Sequence, residues 1–275
     1  MKRLLAVILA LLTALSAGAL TEDDGGEGVI HFPDEAQEDS FLSDTNLSSI
    51  EPFMPDTLEK TIIGEDNREI ISKPKLYPFS AIAYIEMKYE CGCTGGATAF
   101  MVTQNTAMTA AHCVYCYKHD KWARKITFYF GYKSRKNYLY RYKSKWTAWV
   151  GTKFPDQTYI NTDDWALVKL NKKVGEKTGW LGMRFCSDDE LMGKTLCLAG
   201  FGGEDKLRSC WGKVTEVKEK TVGYDMDMLP GNSGSPVFDE DDYVYAINTN
   251  QNPAVNWGRR LTPEIRQTME KNGML

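Results

Sequence analysis

The apolar positions of the chain form short segments rather than long amphipathic stretches. After residue 60 these segments are rich in aromatic and β-branched residues, and Gly, Asn and Asp separate them. They cover residues 79–85, 97–102, 126–130, 165–170, 195–199, 213–217 and 244–247. Short strands divided by turn residues are typical of barrels and sandwiches, whereas alternating βα units need helical stretches between the strands. The pattern therefore predicts an all-β fold for one domain, residues 61–275.

One segment near the end of the chain has a helical pattern instead. Thr262 is a suitable N-cap and Pro263 suits the first helical position. Ile265 and Met269 are four residues apart, on one face of a helix, and Gly273 is a typical stop signal. We expect a C-terminal helix that closes the domain.

The first 19 residues have the order of a secretory signal. Lys2 and Arg3 precede an apolar run at residues 4–15, and small residues lead to Ala19. This order predicts export with cleavage after Ala19, and therefore a secreted protein. An uncleaved membrane anchor is the alternative.

Charge separates residues 20–60 from the rest of the chain. This stretch has 12 acidic residues and one basic residue, Lys60, whereas residues 61–275 have 30 basic and 25 acidic residues. It also lacks apolar periodicity, so we expect it to be poorly ordered on its own. We interpret it as a removable pro-segment that ends at Lys60, with a solvated linker as the alternative. The full chain is 43% hydrophobic with a formal charge of −4, which permits the large core of a globular enzyme.

Three motifs in residues 61–275 contain the parts of a hydrolase with a serine nucleophile. His112 follows small residues at the end of a predicted strand, Asp164 directly precedes another strand, and Ser233 lies between glycines. A serine hydroxyl needs a base within hydrogen-bond reach and a third group that orients the base. The order His, Asp, Ser is that of one family with this chemistry. The α/β-hydrolase signature is excluded, because it needs Gly two residues after the serine, where this chain has Ser235.

At these motifs the chain resembles the chymotrypsin-like serine proteases, and within them the bacterial glutamyl-endopeptidase branch. The run Thr-Ala-Ala-His-Cys at residues 109–113 is similar to the whole family, and Gly-Asn-Ser-Gly-Ser-Pro-Val-Phe at residues 231–238 is similar to the glutamyl branch. Further similarity is found at residues 62–68, 199–202 and 256–262. The resemblance covers residues 61–275 and implies two packed six-stranded antiparallel β-barrels, with the catalytic residues in the cleft between them.

The resemblance also implies a role for each residue of the motifs. Ser233 is expected to attack the peptide carbonyl, His112 to take the proton of the hydroxyl, and Asp164 to hold and stabilise the imidazolium. The N–H groups of Gly231 and Ser233 are expected to form the oxyanion hole. The predicted function is a secreted serine endopeptidase that acts through an acyl-enzyme on polypeptide substrates. A catalytically silent homologue that serves as a binding module is the alternative.

Two neighbouring carboxylates compete for the third role. Asp163 and Asp164 both precede the buried strand. In the family that the chain resembles, the carboxylate directly precedes an apolar strand with Ala at its second position, and here that strand starts at Trp165. This register favours Asp164.

The chain departs from these families at positions that set activation and specificity. Asn232 stands where trypsin-like enzymes have an Asp that pairs with the freed amino terminus, so that salt bridge is not expected. In the glutamyl branch this terminus lies near the substrate pocket, and here it is expected at Thr61. Met228 and Asn248 stand where the glutamyl branch has a pocket threonine and histidine, which argues against a preference for glutamate. Asp227 aligns with the carboxylate that binds Lys or Arg in trypsin-like enzymes, and both that role and a structural one are open.

The cysteines are odd in number, which is unusual for an exported protein. They are Cys91, Cys93, Cys113, Cys116, Cys186, Cys197 and Cys210. Most are expected to pair in an oxidising compartment. The resemblance implies a bridge from Cys93 to Cys113 beside the catalytic histidine, with Cys91 and Cys116 as a neighbouring possibility. The other three allow one pair and one free thiol.

A zinc site is the alternative use of these cysteines. The thiols at residues 91–93 and 113–116, with the flanking His112 and His119, have the composition of such a site. Zinc would then take the histidine that Ser233 needs, so we expect no metal and no cofactor.

Basic and aromatic residues alternate through residues 129–149. This alternation is typical of a strand pair with one solvated face, and no nucleic-acid motif accompanies it. An alternative is that this face binds the acidic pro-segment. The expected partners are therefore polypeptide substrates and the chain's own pro-segment, with no nucleic acid and no stable membrane anchor, and the protein is expected to be a monomer.

Overall fold

The computed structural model describes residues 28–31, 66–154, 160–203, 206–251 and 255–275. The predicted signal peptide and the expected cleavage site between Lys60 and Thr61 lie outside these ranges. So does the predicted pro-segment, except for residues 28–31. No helix in the described part is both long and apolar enough to cross a lipid bilayer.

The described chain is built mainly of strands. In chain order these are β1 (Gly28–His31), β2 (Glu69–Ile70), β3 (Ile82–Tyr89), β4 (Thr94–Met101), β5 (Thr106–Thr109), β6 (Tyr115–Cys116), β7 (Lys121–Phe130), β8 (Tyr140–Tyr142), β9 (Trp146–Val150), β10 (Ala166–Leu170), β11 (Gly182–Met183), β12 (Thr195–Gly200), β13 (Arg208–Val217), β14 (Thr221–Tyr224), β15 (Pro236–Phe238), β16 (Tyr243–Gln251) and β17 (Asn256–Arg260). The helices are α1 (Ile160–Asp163), α2 (Gly175–Thr178), α3 (Asp188–Leu191) and α4 (Pro263–Lys271), with short 3₁₀ turns at Phe79–Ala81 and Ala111–Val114.

The first half of the domain is a curled sheet that forms a half-barrel. Its strand order is β1-β9-β10-β5-β4-β3-β7-β6, and β8 pairs with β7. Large side chains fill its interior, including the fully buried Phe100, Phe128, Phe130 and Trp165. Burial of this apolar area is the main stabilising term for the sheet.

The second half is a closed barrel of six antiparallel strands. The ring runs β12-β13-β14-β17-β16-β15 and returns to β12. The ladder shifts register at three places: in β13, between β15 and β16, and between β16 and β17. Such bulges bend and twist strands, which helps a sheet to close. The all-β, two-barrel prediction is therefore confirmed, with the difference that the described strands of the first barrel form a half-barrel.

The predicted C-terminal helix is present as α4. Ile265 and Met269 are buried as the pattern predicted. The hydroxyl of Thr262 does not cap the helix and instead accepts a hydrogen bond of 3.3 Å from the Arg259 guanidinium. Thr262 is the N-cap residue, as predicted, but this cap has no side-chain hydrogen bond because the buried Arg259 uses the hydroxyl oxygen.

A piece of the predicted pro-segment lies against the domain. The strand β1 pairs in parallel with β9, with Gly28 opposite Trp146 and His31 opposite Trp149. The His31 and Trp149 rings stack with their centroids 5.4 Å apart. This strand occupies the edge of the first sheet.

Candidate active site

Strand pairing brings His112 and Asp164 together. His112 lies in the 3₁₀ turn that follows β5, and Asp164 lies two residues before β10. These strands are antiparallel neighbours with Thr109 opposite Ala166, so the end of one meets the start of the other. The small Ala110 and Ala111 are fully buried, which lets the turn lie close against the sheet.

Asp164 binds His112 through both carboxylate oxygens. Its Oδ2 lies 2.6 Å from Nδ1 of the ring, and its Oδ1 accepts the backbone N–H of His112 at 2.9 Å. Asp164 is 2% exposed, whereas the His112 side chain is 23% exposed. Burial lowers the pKa of His112, but the opposing charge and hydrogen bond of Asp164 outweigh it, so the pKa lies well above its usual 6.5.

Asp163 has a different set of partners. Its Oδ2 accepts the Lys153 N–H at 2.7 Å, and its Oδ1 lies 3.7 Å from the Lys220 ammonium. Burial raises the pKa of this carboxyl group. The structure thus brings Asp164, and not Asp163, into contact with His112.

Ser233 follows a tight turn made by Pro230 and Gly231. The turn is closed by the Asn232 N–H, which donates to the Leu229 carbonyl at 2.9 Å. Gly231 has a φ of 103°, a left-handed value that suits glycine at the third position of a type II turn. Ser233 is partly exposed after this turn.

The Ser233 loop packs on the strand that leads to His112. A Cβ at Gly234 would lie 2.1 Å from Oγ1 of Thr109 and 3.1 Å from the Ala110 nitrogen, so only glycine permits this approach. The loop of the second barrel therefore touches the segment that directly precedes the His112 turn.

Thr98 fixes the backbone of this loop and was missed by sequence reasoning. Its hydroxyl donates to the Gly231 carbonyl at 2.8 Å and accepts the Phe201 N–H at 3.0 Å. Its own N–H donates to the Ser233 carbonyl at 3.0 Å. The only sequence signal was a hydroxyl residue inside the otherwise apolar run 97–102.

The expected oxyanion donors have no partner within the described chain. Asn232, Gly234 and Ser235 each donate their N–H to a protein carbonyl, whereas the N–H groups of Gly231 and Ser233 do not. Two unpaired N–H groups that flank one residue are available for an oxygen atom of a ligand.

The predicted substrate-binding residues Asp227 and Met228 are both buried. Asp227 is fully buried and its Oδ2 accepts the backbone N–H of Asn67 at 3.0 Å. Met228 is 3% exposed. The Asp227 carboxylate therefore holds the beginning of the described domain in place.

The third predicted substrate-binding residue, Asn248, is also fully buried. Its Oδ1 accepts the Tyr224 hydroxyl at 2.5 Å, and its Nδ2 donates to the Asn232 carbonyl at 3.0 Å. The two hydrogen bonds fix the Asn248 amide between Tyr224 and Asn232, the residue before Ser233.

All seven cysteines lie in the described part, and none of them forms a disulfide. Cys113 is buried beside His112, whereas Cys93 lies with Cys91 and Cys116 near the surface. The pairing of Cys93 with Cys113 stays a prediction.

Comparison with known proteins matches this arrangement. The profile of the trypsin-like peptidase domain matches residues 97–247, more than half of the chain. An extracellular metalloprotease of Bacillus subtilis is 29% identical over 228 residues, which are 80% of this chain and 70% of that protein. A glutamyl endopeptidase of Bacillus licheniformis is 26% identical over 228 residues, which are 75% of this chain and 67% of that protein.

A solved structure of a Glu endopeptidase has the same fold. It superposes with a TM-score of 0.66 at 21% identity, and the match covers 78% of this chain and 99% of that chain. The profile match spans the His112, Asp164 and Ser233 motifs together. The protein therefore belongs to the trypsin-like peptidase family, as a chymotrypsin-like serine protease of the glutamyl-endopeptidase branch.

Proposed function

We propose that this protein is an exported serine endopeptidase that hydrolyses peptide bonds through an acyl-enzyme on Ser233. The observation that carries the proposal is the pair of hydrogen bonds that Asp164 accepts from the ring and the backbone of His112. This contact holds the imidazole in one orientation, which a general base requires.

The tautomer of His112 determines which ring nitrogen can accept a proton. When Nδ1 of His112 donates to Asp164, the other ring nitrogen is left as the proton acceptor. That nitrogen takes the proton of the Ser233 hydroxyl as the oxygen attacks the peptide carbonyl. His112 then gives the proton to the leaving amine, and a water molecule repeats the sequence on the ester.

The Ser233 loop stabilises the charge that develops on the carbonyl oxygen. The unpaired N–H groups of Gly231 and Ser233 are the proposed donors. Because they are backbone groups held by Thr98, they need no reorganisation during the reaction, and each is worth about 3–4 kcal/mol.

Labelling with a fluorophosphonate tests the nucleophile. We expect the processed protein to be labelled once, and Ser233→Ala to lose both the label and peptide cleavage. Ser235→Ala is a matched control, because its hydroxyl is buried in the same loop and has no hydrogen-bond partner among the residues that the structure describes. A processed wild type that neither labels nor cleaves would favour the silent binding module instead.

We also propose that activation involves cleavage between Lys60 and Thr61. The support is the Asn67 backbone, which is bonded to the buried Asp227 near the Ser233 loop, so a new terminus six residues earlier stays near that region. Mass spectrometry of the mature protein should find a chain that starts at Thr61. A mature chain that begins at residue 20 would contradict this proposal.

A further inference from the structure

Four metal-ligating side chains converge at one surface position of the first barrel, outside the active site. They are Cys91, Cys93, Cys116 and His119, and their ligand atoms all lie within 4.8 Å of one another. Nδ1 of His119 is 3.4 Å from Sγ of Cys93 and 3.7 Å from Sγ of Cys116. In tetrahedral zinc sites, with bonds of about 2.0–2.3 Å, neighbouring ligand atoms are about 3.5–3.8 Å apart. The distances between these ligand atoms are therefore close to those between the ligands of a bound zinc ion.

Local backbone structure places the ligands in two pairs. The turn between β3 and β4 has Gly92 at a φ of 88°, with Cys91 and Cys93 on either side of it. Backbone bonds of 2.9 Å from the Gly92 N–H to the Tyr89 carbonyl, and from the Tyr89 N–H to the Cys93 carbonyl, hold this turn. The second pair is Cys116, the last residue of β6, and His119 in the turn that follows, whose N–H donates to the Cys116 carbonyl at 3.2 Å.

We propose that Cys91, Cys93, Cys116 and His119 form a structural site for one Zn²⁺ ion. Three thiolates and one imidazole are a common closed shell for zinc, which leaves no open position for catalysis. The ion replaces three thiol protons, which pass to solvent, and no oxidation is involved. It ties the β3–β4 turn to the chain just beyond His112.

This site differs from the zinc site considered from sequence. The sequence alternative also includes His112 and Cys113, and would take the proposed catalytic base as a ligand. In the structure His112 is bonded to Asp164, and Cys113 is not among the four converging residues. His119 supplies the imidazole instead, so zinc binding and the proposed catalysis are compatible.

The test measures metal content in the full chain, isolated without chelators. We expect about one zinc per chain in the wild type. Cys116→Ser should lose the metal, and His119→Cys should retain it, because four cysteines also form a closed zinc shell. Cys186→Ser is the control, since this thiol lies in the second barrel and should leave the metal content unchanged.

Cobalt substitution and thermal unfolding give two further readouts. Co²⁺ in place of zinc should show thiolate-to-cobalt absorption in the wild type, stronger in His119→Cys and absent in Cys116→Ser. A chelator should lower the Tm of the wild type and of Cys186→Ser, but not that of Cys116→Ser.

A disulfide would overturn the proposal. Peptide mapping without reductant that finds Cys93 joined to Cys113, or any two of Cys91, Cys93 and Cys116 joined, would exclude the zinc shell. A wild type with no more zinc than Cys116→Ser would exclude it as well. Neither result bears on labelling of Ser233, so this proposal and the proposed function fail separately.

Discussion

A single side chain, Asp164, controls both the position and the charge of His112. One of its oxygens holds the ring and the other holds the backbone of the same residue. The ring therefore cannot rotate without loss of a short, buried hydrogen bond. The same contact favours the imidazolium and raises the pKa of His112 above 6.5.

The raised pKa determines the pH dependence of the reaction. In the proposed mechanism His112 is the base and must be neutral, so we expect kcat/KM to fall when the pH drops through the pKa of His112 in the free enzyme. Because that pKa is raised, we expect the midpoint of the acid limb above pH 6.5. The measurement is kcat/KM for a peptide substrate across this range. A midpoint below 6.5, or a flat profile, would contradict the assignment.

The two neighbouring carboxylates allow a matched comparison. Asp164→Asn should lower kcat by about 10⁴-fold, because an amide no longer favours the required tautomer of His112. Asp163→Asn keeps an oxygen that can accept the Lys153 N–H, and should stay within about tenfold of the wild type. Steady-state kinetics on both variants checks the prediction. Equal losses would show that the two residues do not have separate roles.

Asp227 provides a test of specificity. Because its carboxylate is buried and bonded to the Asn67 N–H, we expect it to be structural. Asp227→Ala should reduce the free energy of unfolding by about 1–3 kcal/mol, since it leaves that N–H unpaired. Asp227→Asn should leave the ratio of cleavage after Lys or Arg to cleavage after other residues unchanged in a peptide library. If the variant lost cleavage after Lys and Arg but kept cleavage after other residues, Asp227 would instead be assigned to a pocket that binds basic side chains.

At the scale of elements, β4 connects the two barrels at the active site. Thr98 belongs to the first barrel, yet its hydroxyl and its N–H bind Gly231, Phe201 and Ser233 in the second. This one residue orients both proposed oxyanion donors. The geometry of the loop that contains Ser233 therefore depends on how the two barrels pack together.

Thr98→Val tests this connection without a change of shape. The variant loses the hydroxyl bonds to the Gly231 carbonyl and the Phe201 N–H, and should lower kcat by about tenfold with little change in KM. Thr98→Ser keeps the hydroxyl and should restore most of kcat. A change in KM alone, or no recovery in the serine variant, would argue against a positioning role.

Sequence patterns located the strands better than their ends. The predicted segments 97–102, 126–130, 165–170, 195–199, 213–217 and 244–247 all overlap strands. The segment 79–85 begins instead with the 3₁₀ turn Phe79–Ala81, and β3 starts only at Ile82. Alternation and turn residues are local signals, whereas the length of a strand depends on which neighbour it pairs with.

At the scale of the whole molecule, residues 28–31 of the acidic leader join the domain as the strand β1. The strand adds to the edge of β9, so backbone pairing and the His31–Trp149 stack join them. An exposed sheet edge is a natural place for such an addition. The basic and aromatic stretch 129–149, considered from sequence as a binding face, includes part of this edge.

This arrangement predicts that the leader stays bound after cleavage at Lys60. Trp149→Ala should weaken retention of the peptide by up to about tenfold, the effect of losing one aromatic pair. Trp211→Ala, on β13 of the other barrel and 51% exposed, should not. The measurement is gel filtration of the cleaved wild type and of both variants, at low and at high salt. If the two variants retained the leader peptide equally well, β1 would not be the segment that holds it.

The sequence by itself determined the all-β class, the C-terminal helix and the candidate catalytic residues, because these follow from local patterns and motif spacing. The tertiary structure decided which residues meet. It joined Asp164 rather than Asp163 to His112, used Asn248 as a support for Asn232, and gathered His119 with three cysteines. Such contacts depend on strand register and on the packing of the two barrels, and neither is contained in a short stretch of sequence.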